Sequence, residues 1–408
     1  MTAENLTAVI LAAGEGQRLK PLTNRRPKPM VPVVNKPLLE HVVEAVAGAG
    51  IDDIVLVVGY GRDRIQTHFG DGDDWGVTIE YAIQDKQLGT AHAVQQAQAY
   101  VDGPFLVLNG DRIIESSIVS SVRDTLLASG GTDEADRPSK PAQKRVPEAV
   151  MAVTRSANPS TYGVVTVENN HIVDIVEKPR HESPSEIINA GIYGFRPTVF
   201  DAIARTDTAA AGERRLTDTI GKLLESGTVQ SVRYNGRWLD VSYLWDLLSV
   251  TGQMLDSEGG ATAGDIKAGA QVSDAAHVAE TAVVGANTIV GRGTTIAENA
   301  RVGPNVTIER SVVFPDATIE AGAVVRDAIV GANATVGANV TIPSGEATMI
   351  VDSEVHREIA FGAVVGDNSS VGGATVLEPG TVLGDDVTVG PGATVDGQVS
   401  DGTEVRRG

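Results

Sequence analysis

The stretch Val272–Ile308, VSDAAHVAETAVVGANTIVGRGTTIAENARVGPNVTI, carries an aliphatic residue at every sixth position: Val272, Val278, Val284, Val290, Ile296, Val302 and Ile308. Gly285, Gly291 and Gly303 follow three of them. One phased aliphatic among small and turn-forming residues is the pattern of a parallel β-helix, in which three hexads close one triangular coil and each aliphatic points inward. A flexible Gly-rich linker has no such phase. The register shifts after Ile308 and resumes at Val365, Val371, Leu377, Leu383, Val389 and Val395. Small residues at the corners are expected to explain why the chain has 45 glycines and only 4% aromatics.

Upstream the style differs. Leu6–Ala12, Asp53–Gly59 and Phe105–Leu108 read as strands, and Leu38–Gly48 and Thr90–Tyr100 as helices. Short strands alternating with helices imply parallel βαβ units, hence an open α/β sheet whose ligand site lies at the strand carboxyl ends. Asp133–Pro147 has no apolar period and three prolines, and reads as a mobile surface insertion. A helix near Tyr243–Leu255 closes this part, and Gly259–Ala263 reads as the link to the repeats. With 408 residues, two domains are expected, 1–255 and 256–408.

The formal charge is −20, which argues against a nucleic-acid or anionic-membrane partner. There are no cysteines, so disulfides and thiol chemistry are excluded. No apolar run approaches the ~18 residues of a membrane span, and the start shows no basic region before its apolar run; a cytoplasmic protein is expected.

Immediately after the first strand comes LAAGEGQRLKPLTNRRPKPMVPV, Leu11–Val33. Gly14 and Gly16 permit a tight turn whose backbone N–H groups face an anion, and Arg18, Lys20, Arg25, Arg26 and Lys28 are expected to cluster cations around it. The run lacks the third glycine of a dinucleotide fingerprint and the G-K-[ST] ending of a P-loop. It resembles instead the signature of sugar-1-phosphate nucleotidylyltransferases. In the order that family uses follow QDKQLGTAHAV (Gln84–Val94), LNGD (Leu108–Asp111), STYGVV (Ser160–Val165), VEKP (Val176–Pro179), NAGIY (Asn189–Tyr193) and GRWLDVSYLWDLL (Gly236–Leu248). The resemblance implies an α/β, Rossmann-like nucleotidyltransferase domain followed by a left-handed parallel β-helix.

It also implies a reaction: a sugar-1-phosphate attacks the α-phosphorus of a nucleoside triphosphate in line and releases pyrophosphate, by positioning and charge neutralisation rather than a covalent nucleophile. In such an enzyme Arg18 would hold the departing pyrophosphate, Lys28 the α-phosphate and Lys178 the sugar phosphate. Asp111 and Asp240 would share Mg²⁺, although Asp111 also suits a plain turn and Asp240 a helix N-cap. The backbone of Leu11, Ala12, Ala13 and Gly14, with Gln84, Gly89 and Thr90, would surround base and ribose, and Gly163, Glu177 and Asn189 the sugar. The Gln84 amide suits the imide edge of uracil or thymine. UTP or dTTP with glucose-1-phosphate is the simplest substrate pair.

Two departures stand beside the phosphate site, Gln17 and Arg112; Arg112 can compensate charge. The bifunctional relatives that also acetylate an amino-sugar phosphate use a histidine base in the β-helix, and the corresponding position here is Ala321, with Val324 at the tyrosine position. Of the two histidines in this half, His277 reads as a solvated corner and His356 as a poor substitute. The β-helix is therefore expected to serve assembly, as the family's prisms do in trimers. A bifunctional pyrophosphorylase/acetyltransferase and a silent nucleotide-sugar-binding subunit are the alternatives. Acidity concentrates in the repeats: residues 1–255 hold 25 basic and 32 acidic groups, and residues 256–408 hold 8 and 21. That imbalance suggests adaptation to high salt.

Overall fold

The computed structural model describes residues 6–128, 147–179, 185–209 and 212–406. Of the expected insertion Asp133–Pro147, only Pro147 falls among them, and it is buried. By packing, the described chain forms two units, one from residues of 1–15, 27–30 and 38–239, the other from residues of 16–26, 31–37 and 240–408.

The first unit is built on a nine-stranded sheet in the spatial order Thr78–Ile83, Asp53–Val58, Thr7–Ala12, Phe105–Asn109, Ile187–Phe195, Ala149–Arg155, Val229–Arg233, His171–Glu177 and Gly163–Glu168. The first four strands are parallel, as βαβ units require. Their residues are apolar on both faces because helices cover both, and Val9, Ile10, Leu56, Val57, Leu106 and Val107 are fully buried. The second half departs from an all-parallel sheet. Ile187–Phe195 runs antiparallel to both its neighbours, and Gly163–Glu168 folds back on His171–Glu177. The second of these pairings has a local cause: Asn169 and Asn170, with φ of 48° and 63°, make a two-residue turn in the left-handed region that asparagine tolerates. Leu38–Gly48 is helical as expected, while the helix begun at Thr90 ends at Gln96 and tightens into a 3₁₀ turn at Gln98–Tyr100.

In the second unit three stacked sheets of eight, seven and seven parallel strands form the left-handed β-helix. Its axis is an aliphatic column, with Val284, Ile296, Ile308, Val313, Ile319, Val330, Val336, Ile342, Val365 and Leu377 all buried. Each inward side chain contributes about 1.5–3 kcal/mol by leaving water. The column does not lapse after Ile308. It continues through two corners shortened by one residue, Ile308 to Val313 and Val325 to Val330, where Arg310 and Asp327 take left-handed backbones and pair at 2.7 Å. The break before Val365 is a hairpin, Gly345–Val351 with Glu354–Phe361, turned at Asp352 and Ser353.

Corner chemistry also differs from expectation. Many left-handed corners belong to asparagine, at 287, 299, 305, 333, 339 and 368, rather than glycine. Gly285 is needed for stacking: a Cβ there would lie 2.4 Å from the Gly303 carbonyl carbon of the next coil. Gly259–Ala263 is not a free link either. It stacks on the first coil, Gly260 N–H donating to Asp274 O (2.8 Å) and Ala263 N–H to Val278 O (3.1 Å). The helix Leu244–Glu258 packs with this unit.

Candidate active site

In the first unit, functional side chains gather where the parallel strands end. Thr7–Ala12 delivers Leu11, Ala12, Ala13 and Gly14; the Leu11 carbonyl takes the Gly110 N–H (2.9 Å), the Ala13 carbonyl takes Gln87 Nε2 (3.0 Å), and Gly14 is open on its Cβ side. Gln84, 4% exposed, spends both amide hydrogens, one on the Gly89 carbonyl (3.2 Å) and one on His92 Nδ1 (2.9 Å). Burial, with the Arg214 charge, lowers the His92 pKa and favours the neutral imidazole, and the Gln84 amide, oriented by the Gly89 carbonyl, sets Nδ1 as the acceptor. Gln84 Oε1 is thereby left as the acceptor. Gly89 has φ +96°, and a Cβ there would fall 2.3 Å from the Arg214 carbonyl, so no other residue fits. The Thr90 hydroxyl accepts the Leu216 N–H (2.9 Å), tying this loop to the start of another helix.

The strand Phe105–Asn109 leads directly to Asp111, which faces two cations: Lys28 Nζ at 2.6 Å and Arg112 Nη1 at 3.0 Å. Burial alone would raise this carboxyl, but Arg112 and Lys28 outweigh it and hold it well below the usual carboxylate range. Arg112 lies over the Trp238 ring, 5.4 Å from its centroid. The charge compensation expected of Arg112 is thus directed at Asp111 itself.

A third group forms at the antiparallel end. Gly163 pairs in register with Glu177, and a Cβ on Gly163 would meet Glu177 Oε2 at 3.1 Å, Thr217 Cγ2 at 3.3 Å and Asn189 Cβ at 3.7 Å. The three residues assigned to the sugar therefore converge, joined by Thr217, which the sequence reading did not name. Its buried hydroxyl has no hydrogen-bond partner among the described residues. Asn189 sits at a bulge, its Oδ1 accepting from Gly191 N–H (2.9 Å). Lys178 follows with a left-handed backbone (φ 43°) and an exposed side chain.

In the second unit, Gly16 opens the single turn Gln17–Leu19, and the Thr23 hydroxyl closes the loop onto the Gly16 carbonyl (2.8 Å). Arg18 from this turn reaches the Tyr243 hydroxyl (3.5 Å), lies 5.3 Å from that ring's centroid and has Asp352 at 3.9 Å. The expected five-cation cluster is divided. Arg25 pairs with Asp386 and Asp385, and Arg26 with Asp367, all in the β-helix. Asp240 is not the helix N-cap weighed above: Tyr243 holds that position, and Asp246 takes the Ser242 and Tyr243 N–H groups (2.9 and 2.8 Å). Asp240 ends the strand Trp238–Asp240 and accepts from Ser242 Oγ (2.8 Å).

The two histidines of this unit differ from expectation in place. His277 is mid-strand, paired with Thr295, not at a corner, and burial lowers its pKa. His356 belongs to the hairpin and packs on Tyr243 and Trp245, with ring centroids at 4.7 and 5.1 Å. Ala321 and Val324 lie in and just after a turn of the repeats.

A family model described as nucleotidyl transferase matches residues 7–257, more than half of the chain. The chain belongs to the nucleotidyl transferase family. Its remainder matches the GMPPB C-terminal domain at 272–362 and bacterial transferase hexapeptide (six repeats) at 362–397. This nucleotidyl transferase is 37% identical over 270 residues to the bifunctional protein GlmU of Methanococcus maripaludis, covering 66% of this chain and 59% of that one. It is 34% identical to the low-salt glycan biosynthesis nucleotidyltransferase Agl11 of Haloferax volcanii (65% and 71% covered), and 33% identical to a glucose-1-phosphate thymidylyltransferase of Streptomyces antibioticus (62% and 67%). The chain thus spans little more than half the length of the GlmU relatives it matches. A Bacillus anthracis structure assigned as a glucose-1-phosphate thymidylyltransferase superposes with TM-score 0.54 at 26% identity, covering 62% of this chain and 96% of that one. No described helix of this nucleotidyl transferase is long and apolar enough to cross a membrane.

Thr217, and Tyr243 as the partner of Arg18, are defined by contacts distant along the chain, whereas His92 meets Gln84 only eight residues away.

Proposed function

We propose that the protein transfers the nucleotidyl group of UTP or dTTP to a sugar-1-phosphate, most simply glucose-1-phosphate, releasing pyrophosphate. The observation that carries this is the cluster Lys28–Asp111–Arg112 at a parallel-strand end, two cations around one ionised carboxylate. Lys28 then swings to the α-phosphate, Arg18 meets the departing pyrophosphate and Lys178 the sugar phosphate, while Gly163, Glu177 and Asn189 line the sugar. The attacking phosphate oxygen forms a bond to the α-phosphorus as the α–β bridge breaks, and the electron pair leaves with pyrophosphate. The free Gln84 Oε1 accepts from an imide N–H, which uracil and thymine possess and cytosine and adenine lack.

The donor chemistry of Asp111 and Asp240 fits Mg²⁺. Both offer hard carboxylate oxygens, Asp111 is held ionised, and Asp240 accepts rather than donates at Oδ2. When bound, such an ion neutralises phosphate charge.

The hexapeptide repeats support a homo-oligomer, for which a trimer is the reading; a cytoplasmic location is our reading of the sequence start and its short apolar runs, and adaptation to high salt our reading of the acidity concentrated in the repeats. A protein equally stable and trimeric in dilute buffer would count against the salt reading. Along the chain the domains are read as 1–255 and 256–408, while by packing residues 16–26, 31–37 and 240–255 join the β-helix unit. Pyrophosphate release, measured for each triphosphate against a panel of sugar-1-phosphates with Mg²⁺ or EDTA at low and molar salt, tests the activity; no turnover in any pairing overturns it. The GlmU relatives favour one second reading, an added acetyl transfer to glucosamine-1-phosphate. Free coenzyme A released from acetyl-coenzyme A would establish it, and Ala321 at the base position predicts none.

A further inference from the structure

Three consecutive residues of the Gly16–Arg26 loop meet three coils of the β-helix. Asp367, Asp385 and Asp401 lie on successive coils, and the Oδ1 of each accepts a backbone N–H: Ala332 N–H donates to Asp367 (2.9 Å), Asp367 N–H to Asp385 (2.8 Å) and Asp385 N–H to Asp401 (2.8 Å). Their Oδ2 atoms take the loop. Arg26 Nη2 bonds Asp367, Arg25 Nε lies 3.5 Å from Asp385 while its Nη2 bonds Asp386, and Asn24 Nδ2 lies 3.2 Å from Asp401. The Arg26 guanidinium is buried over the Phe314 ring, 4.8 Å from its centroid.

Stacked carboxylates repel one another, so a ladder of them is unfavourable unless cations face it. Here two cations, Arg26 and Arg25, and the neutral Asn24 amide arrive from one short segment, in register with the coils. The anchored segment is coupled to the rest of the loop: Thr23, adjoining Asn24, bonds the Gly16 carbonyl, which also accepts the Leu19 N–H (3.0 Å), and Leu19 and Leu22 are buried. The turn so closed is the one that carries Arg18.

We propose that the Asp367–Asp385–Asp401 ladder positions this loop for the nucleoside triphosphate, so that the β-helix acts in the reaction as well as in assembly. Asp367 and Asp385 are positioning residues, and Arg25 and Arg26 are anchors rather than phosphate ligands. The inference rests on the reading of Arg18 given above.

The test uses full-length Asp367→Asn and Asp385→Asn, with Asp256→Asn, which removes the exposed partner of Arg292, as control. Amide hydrogen exchange across residues 17–23 should quicken by about tenfold or more, while amides of the coils at 283–342 stay protected. The KM for the triphosphate should rise by about fivefold or more, with the KM for the sugar phosphate unmoved. The control should change neither. Unchanged exchange at 17–23 in both variants overturns the anchoring. Faster exchange with an unmoved triphosphate KM overturns the positioning role and points instead to failure of the Arg18 reading. If Asp367→Asn does not fold, Asp385→Asn carries the test, because its loop partner Arg25 is solvent-exposed.

Discussion

Asp111 in the α/β unit and Asp385 in the β-helix are both shielded carboxylates near arginine, yet their proton affinities move in opposite directions. For each, burial is the largest influence and raises the pKa. At Asp111, Arg112 and Lys28 within 3.0 Å reverse that. At Asp385 the charge of Asp367 adds to burial, Arg25 stands off at 3.5 Å, and the carboxyl ends above its ordinary value. Burial therefore does not decide the charge state; the sign of the nearest neighbours does. One site keeps a permanent anion for cationic ligands. The other tolerates crowding that only an incoming loop relieves.

Removing the anion should have the largest effect. Asp111→Asn leaves Lys28 and Arg112 facing an amide, and turnover in pyrophosphate release should fall by about 10²-fold or more with the circular dichroism spectrum unchanged. Undiminished turnover would remove Asp111 from the reaction and with it the contrast. Next in size is the loop anchor. Arg26→Met strands Asp367, 4% exposed, without its cation, and should cost about 3–5 kcal/mol in chemical denaturation of the β-helix. Arg26→Met with Asp367→Leu should recover most of that loss, since two apolar groups leave no charge buried. Recovery of stability without recovery of triphosphate binding would separate the anchor's structural share from its positioning share.

The legible part of each unit was the part with a period or a motif. The sixfold aliphatic column from Val272 and the parallel strands at Leu6–Ala12 and Phe105–Leu108 announce themselves because burial imposes repetition. Lys28, Asp111, Gly163, Glu177 and Asn189 stand in motifs that the family resemblance marks, and the structure brings the last three together. What stayed hidden were pairings across long separations. Nothing local distinguishes Arg26, held by Asp367, from Lys28 two residues later, held by Asp111. The Asn169–Asn170 turn marks a hairpin of Gly163–Glu168 on His171–Glu177, whereas the antiparallel placement of Ile187–Phe195 between Phe105–Asn109 and Ala149–Arg155 has no local signal in the sequence. The one-residue shortenings at Arg310 and Asp327 looked like loss of the repeat because a fixed period of six cannot accommodate a corner of five.

A smaller effect is expected when one of two cations is removed. Lys28→Gln leaves Asp111 with Arg112 alone, and its carboxyl should rise toward the usual range. A carboxylate depressed in the folded state contributes stability above its unfolded pKa, about 3.9, and that contribution fades as pH falls below it. Relative to the wild type, the variant should therefore lose stability at pH 7 and approach it in acid near pH 2. A stability difference independent of pH would show that Lys28 acts on the fold through packing rather than through Asp111.

The smallest effect has the opposite sign. Asp385 is raised in the folded state, so its contribution is favourable below its unfolded pKa, about 3.9, and is lost as pH rises through the raised folded value. Asparagine mimics the protonated form and can still accept the Asp367 N–H through its carbonyl. Asp385→Asn should thus melt no lower than the wild type at pH 7, and its advantage should shrink as pH falls toward 4, where the wild-type carboxyl protonates. Melting curves from pH 7 to 4 measure this directly. A variant less stable at pH 7 would mean that Arg25 repays the buried charge in full, and the ladder would then be a stabilising element like Asp111. A variant that is stable yet has a mobile loop would mean that the carboxylate is retained for position, against its own cost to the fold.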